Sequence, residues 1–257
     1  MGLIDTHAHL TFPELRDQID AVLARCDEAG VERVITVGTD LDDAENAIDL
    51  ARRYPGRIHA AVGVHPHEAE NVSESDLDKI IELWDDPAVV GLGEMGLDYH
   101  YDFADQGVQR KVLARQLAAA SSRSQPLVIH CREAFDDILP LLLEHGFDQQ
   151  PAVFHCFTGT ATEALKIAEH GWRISFTGIV TFPRSTELQE IARSYPNDAL
   201  MIETDSPYLS PVPVRGVRPN EPSHVAHVAG FLAQLRGVSL EELTEQTRRN
   251  SMAFFGL

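Results

Sequence analysis

Gly2-Leu3-Ile4-Asp5-Thr6-His7-Ala8-His9 decides the fold: it is a short apolar run that ends in two histidines. Seven runs of the same character follow near residues 31–38, 58–65, 89–95, 126–131, 152–157, 173–178 and 199–204. Most are β-branched and four to eight residues long, as strands buried on both faces of a parallel sheet should be. The stretches between them carry apolar residues at steps of three and four, such as Ile19, Val22, Leu23 and Cys26, or Val112, Leu113, Leu117 and Ala120. That is helical spacing, and Gly30, Gly146 and Gly171 are placed to stop three of the helices. Repeated alternation over 257 residues predicts an α/β protein: a single (β/α)8 TIM barrel, one domain over residues 1–257.

With 44 % hydrophobic and 24 % charged residues, the chain has the composition of an ordinary folded protein with a substantial core. No apolar run reaches the roughly 18 residues a membrane span requires, and the start lacks the basic-then-apolar layout of a secretory signal. A cytoplasmic location without a membrane partner is therefore expected. Met1-Gly2-Leu3-Ile4-Asp5-Thr6 fits a myristoylation pattern, but the same residues read as the first barrel strand, whose burial is incompatible with a lipid anchor. Cys26, Cys131 and Cys156 form no C-x-x-C pair, which argues against a disulfide framework. Cys131 and Cys156 directly follow His130 and His155; strand neighbours face opposite ways, so both thiols are expected against the helices and a Cys–His dyad is not.

Six of the eight runs finish in metal-ligand residue types: His7 and His9, His65, Glu94, His130, His155 and Asp205. A closed parallel barrel delivers the C-terminal end of every strand to one rim, so these groups are expected to converge there. His7 and His9 share a strand face and can grip one ion from one side. Asp5 lies one pleat lower, where it either orients a ligand histidine or is satisfied by a backbone or water contact. Glu94 stands among Gly91, Gly93 and Gly96, which let backbone and ligand approach closely. Glu203 and Asp205 share a face of the last run, and burying both requires a cation or hydrogen-bond donors nearby.

The blocks Asp5-Thr6-His7-Ala8-His9-Leu10, Gly63-Val64-His65-Pro66, Gly93-Glu94-Met95-Gly96-Leu97-Asp98-Tyr99, His130-Cys131-Arg132, His155-Cys156-Phe157-Thr158-Gly159 and Glu203-Thr204-Asp205-Ser206-Pro207-Tyr208-Leu209 occur in one order along the whole chain. In them the sequence resembles the TatD family of metal-dependent deoxyribonucleases, a branch of the amidohydrolase-like barrels. The resemblance implies that His7, His9, Glu94 and Asp205 hold one cation and Glu94, His130 and His155 a second, while His65 binds or positions the scissile phosphate. Several amidohydrolase relatives bridge their metals through a modified lysine. Here Lys79, Lys111 and Lys166 all fall in predicted helices, which leaves Glu94 for that task. Two divalent ions are expected, Mg2+, Mn2+ or Zn2+: imidazole-rich ligation favours the transition ions, whereas the family is generally described as magnesium-dependent. Arg215-Gly216-Val217-Arg218-Pro219-Asn220-Glu221-Pro222 is similar to the family's R-G-x-R-N-E-P segment with Pro219 inserted.

The expected reaction is hydrolysis of DNA phosphodiesters by a water activated at a two-metal site. Asp205, Glu94 and His65 are the expected catalytic residues, and His65, His67, Arg132, Arg215 and Arg218 the substrate contacts. A formal net charge of -19 opposes binding of an extended duplex. The expected substrate is therefore a single-stranded or frayed DNA end, digested exonucleolytically, or a small phosphodiester. Arg132, Arg184, Arg215 and Arg218 would make the rim locally positive, and Tyr99, Phe157, Phe182 and Tyr208 are candidates for stacking a base. Two other readings use the same ligands: an amide or ester hydrolase such as an aminoacyl-tRNA deacylase, and a non-catalytic scaffold stabilised by its metals. No obligatory protein partner is evident.

Overall fold

A computed structural model describes residues 2–257 of the chain. Its strands are β1 (Leu3–Ala8), β2 (Val31–Gly38), β3 (Ile58–Val62), β4 (Val89–Asp98), β5 (Leu127–Arg132), β6 (Ala152–Phe154), β7 (Arg173–Phe176) and β8 (Leu200–Ile202). They pair in parallel in sequence order. The helices are α1 (Pro13–Arg16), α2 (Ile19–Ala29), α3 (Leu41–Arg53), α4 (Glu74–Leu83), α5 (Gln106–Ala120), α6 (Phe135–Glu144), α7 (Ala161–Glu169), α8 (Thr186–Ser194), α9 (Val225–Arg236) and α10 (Leu240–Phe255). Helices α2 to α8 cross between consecutive strands, as parallel pairing requires. In α2 the buried residues are Ile19, Val22, Leu23 and Cys26, the stripe its spacing predicts. None of the described helices is long and apolar enough to cross a membrane.

β1 and the chain leaving β8 meet through a seam that includes three hydrogen bonds to backbone carbonyls. Asp205 N–H donates to the His7 carbonyl at 2.9 Å and His9 N–H to the Ser206 carbonyl at 2.7 Å. The Thr6 hydroxyl donates to the Ile202 carbonyl at 3.0 Å. Closure of the barrel thus runs through the same backbone that carries three of the expected ligands.

Ile35, Ala61, Val128, Val153 and Met201 point into the barrel and pack with Phe254 and Phe255 of α10. Because side chains alternate along a strand, His130, two residues after Val128, and His155, two after Val153, continue that inward face one layer higher. Asp205 keeps the parity of Met201 in the same way.

Three runs that carry expected site residues are shorter than the sequence suggests. β3, β6 and β8 stop at Val62, Phe154 and Ile202, so His65, His155 and Asp205 stand just past the paired strands rather than at their ends. Pairing ceases there because the backbone turns to aim these groups inward: Cys156 and Asp205 have φ of 43° and 54°. Cys156 therefore does not sit on a strand facing the helices; its N–H donates to Glu203 Oε1 at 2.6 Å.

Candidate metal centre

Glu94 is the hub of the site, and a bulge puts it there. Leu92 pairs with Leu127, but Met95 pairs with Ile129, so β4 spends one residue more than β5 over this step. The extra residue brings Glu94 inward although Gly91 already faces the interior. Glycine is needed on either side: Gly93 has φ of 132°, and a Cβ there would stand 2.3 Å from the Val128 carbonyl oxygen. A Cβ on Gly96 would stand 1.8 Å from the His130 carbonyl oxygen.

The two Glu94 oxygens address different groups. Oε2 lies 3.2 Å from His7 Nε2; Oε1 lies 2.6 Å from His155 Nε2, 2.7 Å from His130 Nδ1 and 3.4 Å from His65 Nε2. On the His7 side, Asp205 Oδ1 is 3.4 Å from His9 Nε2 and 3.9 Å from His7 Nε2. His7 and His155 stack across the centre with ring centroids 3.9 Å apart. All seven residues expected to converge, from six of the runs, do so. Three triads of potential ligand atoms lie within 4.8 Å of one another: His7, His9 and Glu94; His65, Glu94 and His130; and His7, His155 and Glu203.

The second nitrogen of each ring shows which atom is free to ligate. His130 Nε2 faces Asp98 Oδ2 at 3.0 Å, so it carries the proton and Nδ1 presents a lone pair to the centre. His155 Nδ1 stands 3.4 Å from Glu203 Oε1 without forming a hydrogen bond, and its Nε2 is the nitrogen turned to Glu94, 2.6 Å from Oε1. His65 differs. Its Nδ1 accepts the His67 N–H at 3.1 Å, so the neutral ring holds its proton on Nε2 and turns a donor, not a lone pair, toward the centre. Burial pushes the His65 imidazole down to about 4, which keeps it neutral.

Burial alone would raise the Glu94 carboxyl, but the charge of His155 and the His130 hydrogen bond outweigh it and hold the group well below the usual carboxylate range. Asp205 is held down against the same burial effect, chiefly by its His9 hydrogen bond. Burial lowers His7, with His155 adding to the effect. In His155 the opposing pull of Glu94 wins over burial and the imidazole is raised.

The residues present fit a bound divalent metal. His7 Nδ1 and Nε2, His9 Nδ1 and His155 Nδ1 are buried without a hydrogen-bond partner among the described residues, whereas buried nitrogens are normally satisfied. Imidazoles with two carboxylates form a donor set suited to divalent transition ions. The three lysines lie in α4, α5 and α7, so Glu94 is the bridging candidate.

Asp5 resolves to the backbone alternative: it accepts from Thr204 N–H at 2.9 Å, the Thr204 hydroxyl at 2.5 Å and His7 N–H at 3.3 Å. From the other side, the fully buried Asn220 donates its amide to the Thr204 carbonyl at 3.1 Å. Asp205, in a left-handed conformation that costs a non-glycine residue energy, is held between these two clamps. Asp98 and Asn220 stand inside quoted sequence blocks, but the motifs assigned neither of them a specific role. The cue for Asp98 was its place on the same strand as Glu94.

The rim is less convergent than the centre. His67 Nε2 is bound to Asp98 Oδ2 at 3.0 Å. Arg132 lies over the Tyr101 ring, 5.0 Å from its centroid, and Arg215 over Phe182 at 4.1 Å. Arg215 and Arg218 are exposed on the loop after β8, and no hydrogen bond ties either to the histidines among the described residues. Nor do Arg132, Arg184, Arg215 and Arg218 pair with an acid there, unlike Arg25, Arg57, Arg115 and Arg123. Of the stacking candidates, Tyr208 is exposed, Phe157 is buried, Phe182 lies under Arg215, and the Tyr99 hydroxyl is bound to Asp137 at 2.6 Å. Tyr101 and Phe103 are the more exposed rings near His67. Burial pushes the Cys131 thiol up to about 12, so it is an unreactive wall residue.

A sequence model of the family described as TatD related DNase matches residues 4–256. The chain belongs to the TatD family. Among relatives in that family, an uncharacterized metal-dependent hydrolase of Bacillus subtilis, YabD, is 39 % identical over 253 residues, with 98 % of each chain covered. The 3'-5' ssDNA/RNA exonuclease TatD of Escherichia coli K12 is 36 % identical over 260 residues, with 99 % of each covered. The crystal structure of a further TatD homologue from Escherichia coli, YjjV, matches with a TM-score of 0.93 at 29 % identity, over 99 % of this chain and 98 % of that one. The TatD-family barrel is therefore shared along the full described length.

Proposed function

We propose that this chain is a metal-dependent exonuclease that hydrolyses phosphodiesters at single-stranded or frayed DNA ends, acting in the cytoplasm as one domain over residues 1–257. The observation that carries this reading is the division of Glu94: each carboxylate oxygen faces its own set of inward-turned imidazoles. His7, His9, Asp205 and Glu94 Oε2 would hold one divalent cation, and Glu94 Oε1, His130 and His155 a second, with Mg2+, Mn2+ or Zn2+ as the candidates. Bound there, such ions would lower the pKa of water and stabilise charge on the attacking and leaving oxygens. Relatives named as 3'-5' ssDNA/RNA exonucleases support nucleic acid as the substrate class.

The protein's own groups divide the remaining work. Asp205 is ionised and 15 % exposed at its side chain, so it can orient the attacking water and accept its proton. His65 offers Nε2–H to a non-bridging phosphate oxygen, a donor placed before charge develops. His67, whose Nε2 is committed to Asp98, keeps Nδ1 for substrate. Arg132 adds a guanidinium at the rim, and Arg215 and Arg218 on the exposed loop would attract the strand.

The test is incubation of the metal-loaded protein with an end-labelled single-stranded oligonucleotide, with product mapping and a chelator control. Stepwise shortening that chelator abolishes is expected. Hydrolysis of acyl substrates with the oligonucleotide left intact would overturn the nuclease reading in favour of an amide or ester hydrolase.

A further inference from the structure

β5 and β6 part company just where the metal centre begins. Their pairing ends at Ile129 and Phe154, yet β5 stays paired to β4 as far as Arg132, while the chain after His155 turns away through the left-handed Cys156. The gap between the diverging ends is a cavity of about 370 Å3. Its walls include Phe135, Phe154 and Phe157, Arg132, and His155 itself. One imidazole therefore both lines this cavity and presents Nε2 to Glu94.

The chemistry of the walls selects the occupant. The N-terminus of α7 borders the cavity, but two of its N–H groups are already engaged: the Thr160 hydroxyl accepts Glu163 N–H at 3.3 Å, and Glu163 Oε2 accepts Thr160 N–H at 2.6 Å. Glu133 and Glu163 line the space against the single Arg132, so a second phosphate would meet more negative charge than positive. A flat, neutral group with apolar faces and polar edges matches both the aromatic walls and the mixed polar rim.

We infer that this cavity seats the nucleobase of the nucleotide whose phosphodiester lies on the metal centre. The inference rests on the nuclease reading and adds a base-holding subsite to it. Aromatic walls with few fixed donors tolerate any base, because stacking uses the ring face that all bases share.

Steady-state kcat/KM on two oligonucleotides, identical except that the terminal nucleotide is normal or abasic, tests the subsite. The wild-type protein is expected to prefer the base-bearing end by about tenfold or more. Thr158→Trp, which places an indole at the exposed mouth, is expected to bring that ratio close to one. Phe157→Leu, which removes a wall ring but keeps a buried apolar side chain, should lower it as well, and melting curves show whether each variant folds. A wild-type ratio near one, or a ratio that survives in a folded Thr158→Trp protein, overturns the inference. Bis(4-nitrophenyl) phosphate, a diester without a base, separates the two levels. If the metal-loaded wild type hydrolyses neither it nor the oligonucleotides, the nuclease reading fails and the subsite with it. If it hydrolyses all three without discriminating, only the subsite fails.

Discussion

Asp98 Oδ2 accepts a hydrogen bond from His130 Nε2 at 3.0 Å, on the side of the ring opposite the Nδ1 that faces Glu94. The same oxygen holds His67, and Oδ1 accepts the backbone N–H of His100 and of Tyr101, each at 3.0 Å. Burial would raise this carboxyl, but the His130 and His67 hydrogen bonds outweigh it and keep Asp98 ionised far below the usual range. An anion in this position fixes the ring orientation and makes the ligating nitrogen more basic. Asp98→Asn is therefore expected to weaken metal affinity by about 10- to 100-fold while the fold survives. Calorimetric titration of the metal-free variant checks this, and an affinity equal to the wild type would remove Asp98 from the centre.

Gly96→Ala is expected to damage the same contact from the backbone. The added Cβ would fall 1.8 Å from the His130 carbonyl oxygen, and no flexible side chain is available to move aside. Overpacking of this kind costs about 1–3 kcal/mol, and the strand must shift in a way that carries His130 with it. Thermal melting and metal content should fall together; a variant with wild-type values of both would show that β4 and β5 separate without strain.

How much of this could be read beforehand depends on the kind of regularity each residue obeys. His7 and His9, two apart on a strand, and His130 and His155, each two past an interior valine, follow simple alternation and were legible. Glu94 was found as a residue type in a glycine-rich run, but its inward aim comes from the bulge after Leu92, which alternation does not encode. The His130 tautomer was out of reach, because it depends on a partner distant in the chain, Asp98. The cavity between β5 and β6 was hidden too, since it exists only where two neighbouring strands end at different heights. Arg215 and Arg218 were identified through a motif, and the structure leaves them on an exposed loop, where no contact with the centre fixes them.

Metal removal should destabilise the protein if the buried imidazoles hold cations. A ligand that binds only the folded state at about 100 times its Kd adds about 2.7 kcal/mol, which in a chain of this size corresponds to about 5–10 °C in Tm. Adding a chelator is expected to lower Tm by that order, and restoring Mn2+ or Zn2+ to reverse the loss. Equal melting temperatures with and without chelator would mean that the centre is not loaded under those conditions or does not bind these ions.

The loop that follows Asp205 is fastened to α2 by a single ion pair with a definite pH signature. Arg25 Nε donates to both Glu221 carboxylate oxygens at 2.8 Å, and the Ser223 hydroxyl donates to Oε1 at 2.6 Å. Burial would raise the Glu221 carboxyl, but the Arg25 hydrogen bonds outweigh it and the group is held below its ordinary range. A depressed carboxylate contributes stability that is fully present above its unfolded pKa, about 4.3, and is lost as pH falls through the lower folded value. Arg25 is 40 % exposed at its side chain, so solvent screening limits the contribution to about 1 kcal/mol or less. Glu221→Gln is thus expected to lower Tm by a few degrees at neutral pH. The difference should start to shrink as the pH falls below about 4.3, where the unfolded chain takes up the proton, and should vanish only below the lower folded value. A gap between wild type and variant that stayed constant down to strongly acidic pH would show that shape, rather than charge, is what Glu221 supplies at the root of this loop.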